Sequence, residues 1–163
     1  MKDLGTLSYF LGLEVTSSSD GYYLSQAKYA FDLLSKADIT NNKTVSIPLE
    51  YNAKLTPLDG EPISDATHYR QLIGSQIYLT VTCPDISHAV SMVSKLINAP
   101  CFIHYVAVLW IPLYVKGTLY HGLHYFRSFL ELHAYSNANL AGDSTNRCSI
   151  IGFCFLLGTF LVS

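Results

Sequence analysis

Apolar and polar positions alternate between two periods along this chain. Residues 7–15 (LSYFLGLEV) and 21–25 (GYYLS) are apolar and β-prone. Ser17, Ser18, Ser19, Asp20 and Gly21 lie between them, and Asp-Gly is a strong turn dipeptide, so a β-hairpin is expected. From residue 26 the period lengthens. Ala30, Leu33, Leu34 and Ala37 fall at i, i+3, i+4 and i+7, one face of a helix over about 26–37 that Ser25 can cap. Asp32 stands four residues from both Lys28 and Lys36 and can pair with either. Residues 38–63 carry Asn41-Asn42, Pro48, Pro57, Gly60 and Pro62, which is loop chemistry.

Ser64 or Asp65 can cap a second helix over about 65–81. Pro84 and Asp85 suit the first turn of another, with Ile86, Ala89, Val90, Val93, Leu96 and Ile97 on its apolar face. Asn98-Ala99-Pro100 stops it, and a further helix is expected over about 103–116. From Leu119 the pattern shifts to short β-prone pieces at 119–126, 130–136 and 149–157. Hairpin, helices and terminal strands in that order predict an α+β fold with a break near residue 128.

Composition narrows the picture. The 163 residues are 50% hydrophobic but only 13% charged, about half the usual share of roughly 25%. The formal net charge of −2 argues against strong free-standing nucleic-acid binding, which draws on phosphate neutralisation. Cys83, Cys101, Cys148 and Cys154 have no Cys-x-x-Cys spacing, and buried free thiols are expected. Residues 101–115 and 150–162 are strongly apolar but shorter than the about 18 to 20 residues that span hydrocarbon, so buried elements and no membrane are expected. No signal peptide is visible at the start.

Three long stretches carry a family resemblance. MKDLGTLSYFLGLEV, GYYLSQAKYAFDLL and HYRQLIGSQIYLTVTCPDISHAVSMVSKL resemble the copia-type LTR retrotransposon reverse transcriptase downstream of its catalytic strand. HYVAVLWIPLYVKGTLYHGLHY resembles the helix that follows, and AYSNANLAGDSTNRCSIIGFCFLLG is similar to the opening of the family's RNase H domain. The resemblance implies a division of the chain. Residues 1–127 would be the late palm, thumb and connection of the polymerase, and 128–163 the start of an incomplete RNase H-like domain. It also implies a fragment of a Pol polyprotein whose remainder is the natural partner, with a cytoplasmic or nuclear location.

The resemblance further implies damaged metal chemistry. The intact family uses Mg²⁺ pairs held by aspartates, two of them adjacent, to clamp the oxygens of phosphoryl transfer. No adjacent aspartates occur in this sequence. Where the RNase H pattern reads Tyr-x-Asp-Ala-Asp, the chain has Tyr135-Ser136-Asn137-Ala138-Asn139, so Asn137 occupies the place of the first catalytic carboxylate. A neutral amide is a poor ligand for a hard cation. Asp143 is nearby but is not at the motif's catalytic position. No catalytic residue, metal ligand or bound cofactor is therefore expected.

Lys28, Arg70, Lys95 and Lys116 are candidates for weak contact with an RNA or DNA duplex, against the plainer reading of solvated surface charges. Tyr22, Tyr23, Tyr29, Tyr78 and Phe31 could stack on bases or simply pack. His121, His124 and His133 suggest a metal site only weakly, lacking partnered Cys or Asp. Cys83, Trp110 and Leu113 stand where the family usually has arginine, Pro112 replaces an aliphatic residue inside a helix, and Gln76 lies on an apolar face where leucine is favoured. Together they suggest drift without selection for activity, with Pro112 costing about 3 kcal/mol or more.

Overall fold

A computed structural model describes all residues except 1–4, 6, 51–54, 57–59, 128, 130, 141–148, 159 and 163. Cys148 and Asp143 thus lie outside the described residues. The chain divides into two compact units: residues 1–17 with 23–124, and residues 18–22 with 125–163. The described elements are mixed α and β, with sheets of order β1-β2-β3-β4 and β5-β6-β7.

The first apolar stretch is not one strand. β1 (Tyr9–Phe10) and β2 (Leu13–Ser17) are antiparallel, with Phe10 opposite Leu13. The two-residue turn between them places Leu11 at φ 49° and Gly12 at φ 82°. β3 (Gly21–Ser25) follows the expected turn, where the Ser18 hydroxyl bonds the Asp20 carboxylate and the Ser18 amide donates to the Gly21 carbonyl. Gly21 is required for close approach, since a Cβ there would meet the Tyr125 carbonyl oxygen at 1.9 Å.

Helix α1 spans Ala27–Lys36, preceded by Gln26 rather than capped by Ser25. The Ser25 hydroxyl donates instead to the Glu14 carboxylate (3.0 Å), a partner in a neighbouring strand. Lys36 reaches Ser75 (3.4 Å) rather than Asp32. Helix α2 spans Ala66–Leu79, and Asp65 caps it by accepting from the His68 amide at 2.8 Å. Pro84–Ile86 form a 3₁₀ turn that leads into α3 (Ser87–Ser94), so the expected third helix starts tighter and ends earlier. Helix α4 spans Phe102–Gly117 and runs through Pro112.

The core of the first unit lies among these four helices. Leu33 of α1, Tyr69, Leu72 and Ile73 of α2, Val90 and Val93 of α3, and Val108, Ile111 and Val115 of α4 are almost wholly buried. Both α2 and α4 touch each of the other three helices, so they are the centre of the packing.

After α4, β4 covers only Leu123–Phe126 of the expected strand from 119. In the second unit β5 (Leu132–Asn139) pairs antiparallel with β6 (Ile150–Leu157), and β6 with the short β7 (Phe160–Leu161). The expected burial of residues 150–162 does not hold there. Ile151 and Phe153 are about two-thirds exposed, at 60% and 66%. A lone three-stranded sheet has two faces, and no helix among the described residues of that unit covers either. Among the described residues, no helix is long and apolar enough to cross a membrane.

Candidate nucleic-acid interface and metal positions

The four candidate cations fall on four separate segments of the first unit. Lys28 lies in the first turn of α1, Arg70 on α2, Lys95 just after α3, and Lys116 in the last turn of α4. Lys28, Arg70 and Lys95 are all exposed. Lys116 is half-buried, and its ammonium donates to the backbone carbonyl of Asn41. That bond ties the segment after α1 to the end of α4, which gives Lys116 a structural occupation.

The aromatic candidates divide in the same way. Tyr29 and Tyr78 form an edge-to-face pair at 5.0 Å, and the Tyr78 hydroxyl donates to the Leu11 carbonyl. Tyr23 donates to the Tyr120 carbonyl at 2.7 Å. These three are packing residues. Tyr22 and Phe31 present more than half of their surface to solvent, at 53% and 61%.

The positions where arginine is usual in the family hold residues with internal partners at two of the three sites. The Trp110 indole N–H donates to the Ile47 carbonyl at 3.1 Å. Cys83 is half-buried, and burial pushes its thiol above the ordinary range. Pro112 is buried within α4 and has no N–H to offer the Val108 carbonyl four residues earlier. The Gln76 side-chain amide donates to that carbonyl instead, at 2.9 Å. Pro112 thus lies inside the helix expected over about 103–116, and Gln76, which stood out on an apolar face, supplies the donor that the proline lacks.

Among the described residues, no group of three His, Cys, Asp or Glu side chains is placed to hold a metal ion. His121 sits in the turn after α4, and the ring of His124 lies edge-on to Tyr23 at 6.4 Å. His133, on β5, approaches Glu131 at 3.7 Å. Asn137 is exposed on β5, opposite Gly152 of β6. Cross-strand partners share a sheet face, so Asn137, Asn139 and Tyr135 lie on one side with Gly152 and Cys154.

Two fully buried polar residues escaped the reading of the sequence as functional or structural anchors. Tyr69 donates to the Val93 carbonyl at 3.0 Å, and burial, with Cys101 adding to it, pushes its hydroxyl up to about 12. His104 is bonded through both ring nitrogens. The Cys101-x-x-His104 spacing was the available signal, because it places a side-chain acceptor at the N-cap and another three residues on.

Residues 1–51 match a family model described as reverse transcriptase (RNA-dependent DNA polymerase). The chain is 36% identical over 166 residues to an uncharacterized mitochondrial protein of Arabidopsis thaliana, covering 100% of this chain and 68% of that protein. It is 38% identical to the retrovirus-related Pol polyprotein from transposon RE1 of Arabidopsis thaliana, again over 100% of its own length but 11% of the polyprotein. The corresponding polyprotein of transposon TNT 1-94 from Nicotiana tabacum is 36% identical over 95% of this chain and 12% of its own. The chain therefore belongs to the family of retrovirus-related Pol polyproteins of copia-type transposons, in the part related to reverse transcriptase. It spans about a tenth of the transposon polyproteins it matches. No solved structure matches it.

Proposed function

We propose that the chain corresponds to the thumb and connection of an RNA-directed DNA polymerase running into the opening strands of an RNase H-like domain, and that it is catalytically silent by itself. Its natural partner in this reading is the rest of a Pol polyprotein. The observation that carries the silence is Asn137. It lies mid-strand on β5 and is exposed, and in the resemblance its neutral amide stands where the family motif places a carboxylate. Mg²⁺ selects charged oxygen ligands, and two-metal phosphoryl chemistry fails without them. The purified chain is expected to show no Mg²⁺-stimulated extension of a primer–template and no cleavage of the RNA strand of a hybrid. Either activity, retained in a preparation free of other polymerases and nucleases, overturns this reading.

A second reading is favoured by the solvent access of Lys28, Arg70 and Lys95 on the helical unit. These cations would give a weak, sequence-independent grip on a duplex backbone. Filter binding across salt tests it. Retention at low ionic strength that falls as salt rises supports it, and no retention at any salt removes it.

A further inference from the structure

We propose that β5 is a self-recognition edge, which pairs antiparallel with β5 of a second copy of this chain. Among the described residues it is an outer strand of the three-stranded sheet. Its inner side is fixed by the register with β6. The Gly158 N–H donates to the Glu131 carbonyl at 2.7 Å, and the pairing continues with Leu132 opposite Leu157 and His133 opposite Leu156. Both backbone groups of a strand residue point to one side, and the side alternates along the strand. Glu131 and the odd-numbered residues after it therefore turn their N–H and C=O groups toward β6. Leu132, Ala134, Ser136 and Ala138 turn theirs to the open edge, and all four residues are exposed.

This edge carries none of the usual protection. Soluble proteins shield outer strands by shortness, lysine, proline, bulges or inward-pointing charges. β5 has 8 residues, more than the usual run of about five or six. Leu132–Asn139 contain no Lys, Arg, Asp, Glu or Pro, and the pairing with β6 runs through the whole strand without a bulge. Ala134, Ser136 and Ala138 are too small to screen the backbone beside them.

A second copy fits because the edge is complementary to itself. A twofold axis through Tyr135 sets Leu132 of one strand opposite Ala138 of the other, and Ala134 opposite Ser136. Every open residue then meets an open residue, and each such pair exchanges two bonds. The total is about eight hydrogen bonds, inside the roughly 5–15 of a typical interface. A slip of one residue would set open groups against groups that point toward β6, and would mix the two faces of the sheet. No like charges oppose each other, because the strand carries no acidic or basic side chain apart from His133. Tyr135, 59% exposed in the single chain, meets its own copy at a non-hydrogen-bonded position, where cross-strand side chains lie closest. One pair of strands is smaller than a standard interface, so the association belongs to the weak, micromolar class.

Sedimentation velocity of the intact chain, from low to high micromolar concentration, should show a monomer–dimer equilibrium that closes at the dimer. Hydrogen exchange should slow about tenfold at the Ala134, Ser136 and Ala138 amides between the monomer and dimer ends of that range. The His133, Tyr135 and Asn137 amides, turned toward β6, should be protected at both ends. Ser136→Pro removes an outward donor and no bond to β6, so it should weaken association about tenfold or more. Ala134→Lys keeps every backbone group, adds a charge to the edge, and should weaken association likewise. A chain that stays monomeric, open-edge amides that exchange equally at both ends, or association unchanged by both variants overturns the proposal. Association that survives both but is lost in Phe153→Ser lies on the exposed sheet face instead, and growth past the dimer shows that the edge does not close on itself. Either result overturns it equally.

Discussion

The side chain of Gln76 on α2 supplies the Val108 carbonyl of α4 with the hydrogen bond that Pro112 cannot make. A helix-interior proline costs about 3 kcal/mol partly because it leaves the carbonyl four residues earlier without a donor. Val108 is wholly buried, and a buried acceptor left alone costs about 1–3 kcal/mol. One amide from a neighbouring helix removes that part of the penalty. Two substitutions that look like independent damage are therefore energetically coupled.

A double-mutant cycle measures the coupling. Gln76→Leu should destabilise the present chain by about 1–2 kcal/mol, because it orphans the Val108 carbonyl. In a Pro112→Leu background the helix supplies its own donor, and Gln76→Leu should then be neutral or stabilising, since it also removes an amide oxygen that has no partner. The interaction energy should fall within the roughly 0.5–3 kcal/mol typical of contacting residues. Urea unfolding of the four proteins is the measurement, and additive effects would show that the bond contributes nothing.

This pair also marks where the sequence stops being legible. The helices were readable because their apolar residues repeat at helical spacing, and a cap at Ser64 or Asp65, of which the structure selects Asp65, because its side chain acts three residues away. Local chemistry of that kind is written locally. The repair of Pro112 is not, because Gln76 sits on a different helix and reaches the Val108 carbonyl only once α2 and α4 have packed. Lys116 is a similar case. Its bond to the Asn41 carbonyl joins residues 75 apart, so nothing around position 116 distinguishes it from Lys28 and Arg70. The exposure of the β6 aromatics depends on what lies over the sheet. The apolar alternation of Ile151, Phe153 and Phe155 describes a face to be covered and does not say by what.

The turn at Leu11-Gly12 was illegible for a different reason. Both residues have positive φ, which a two-residue turn of this hand requires and which asparagine-glycine satisfies best. Leucine in that conformation crowds its own Cβ, at a cost of roughly 1–2 kcal/mol. Leu11 is 70% exposed, so its side chain recovers little by burial. Leu11→Asn should raise the unfolding free energy by about 1 kcal/mol, with the Tyr78 bond to the residue-11 carbonyl unaffected because it uses backbone. A thermal melt with an unchanged or lower midpoint would show that the leucine has a packing role that outweighs the strain.

Alkaline stability should follow Tyr69. Its hydroxyl titrates at about 12 in the folded chain, raised first by burial, against an ordinary value of 10.0. The folded state thus holds its proton more tightly than the unfolded state does. The stability this provides is fully present below pH 10 and is lost as pH rises from about 10 toward about 12. Tyr114, raised to about 12 chiefly by its hydrogen bond to Asp85, adds loss in the same window. Tyr69→Phe should lower stability near neutral pH, because the Val93 carbonyl loses its donor, yet flatten the alkaline decline. Denaturant midpoints measured from about pH 8 to about pH 12 test this, and an equally steep decline in Tyr69→Phe would remove Tyr69 as its source.

The solvent-accessible cations and the tethered one should separate in a binding experiment that rests on the duplex-grip reading. Removing one phosphate-binding cation reduces the dependence of log affinity on log salt by about one unit. Lys28→Ala and Arg70→Ala, which alter side chains open to solvent, should each weaken primer–template binding uniformly across sequences and lower that slope by about one. Lys116→Ala should leave the slope unchanged, because its ammonium is occupied by the Asn41 carbonyl. It should instead reduce stability by about 0.5–1 kcal/mol, the net worth of one ordinary hydrogen bond. Fluorescence anisotropy between about 50 and 200 mM salt, the range where such slopes are read, gives both comparisons when paired with urea unfolding. A slope lowered by Lys116→Ala, or left untouched by both Lys28→Ala and Arg70→Ala, would place the binding surface elsewhere on the chain.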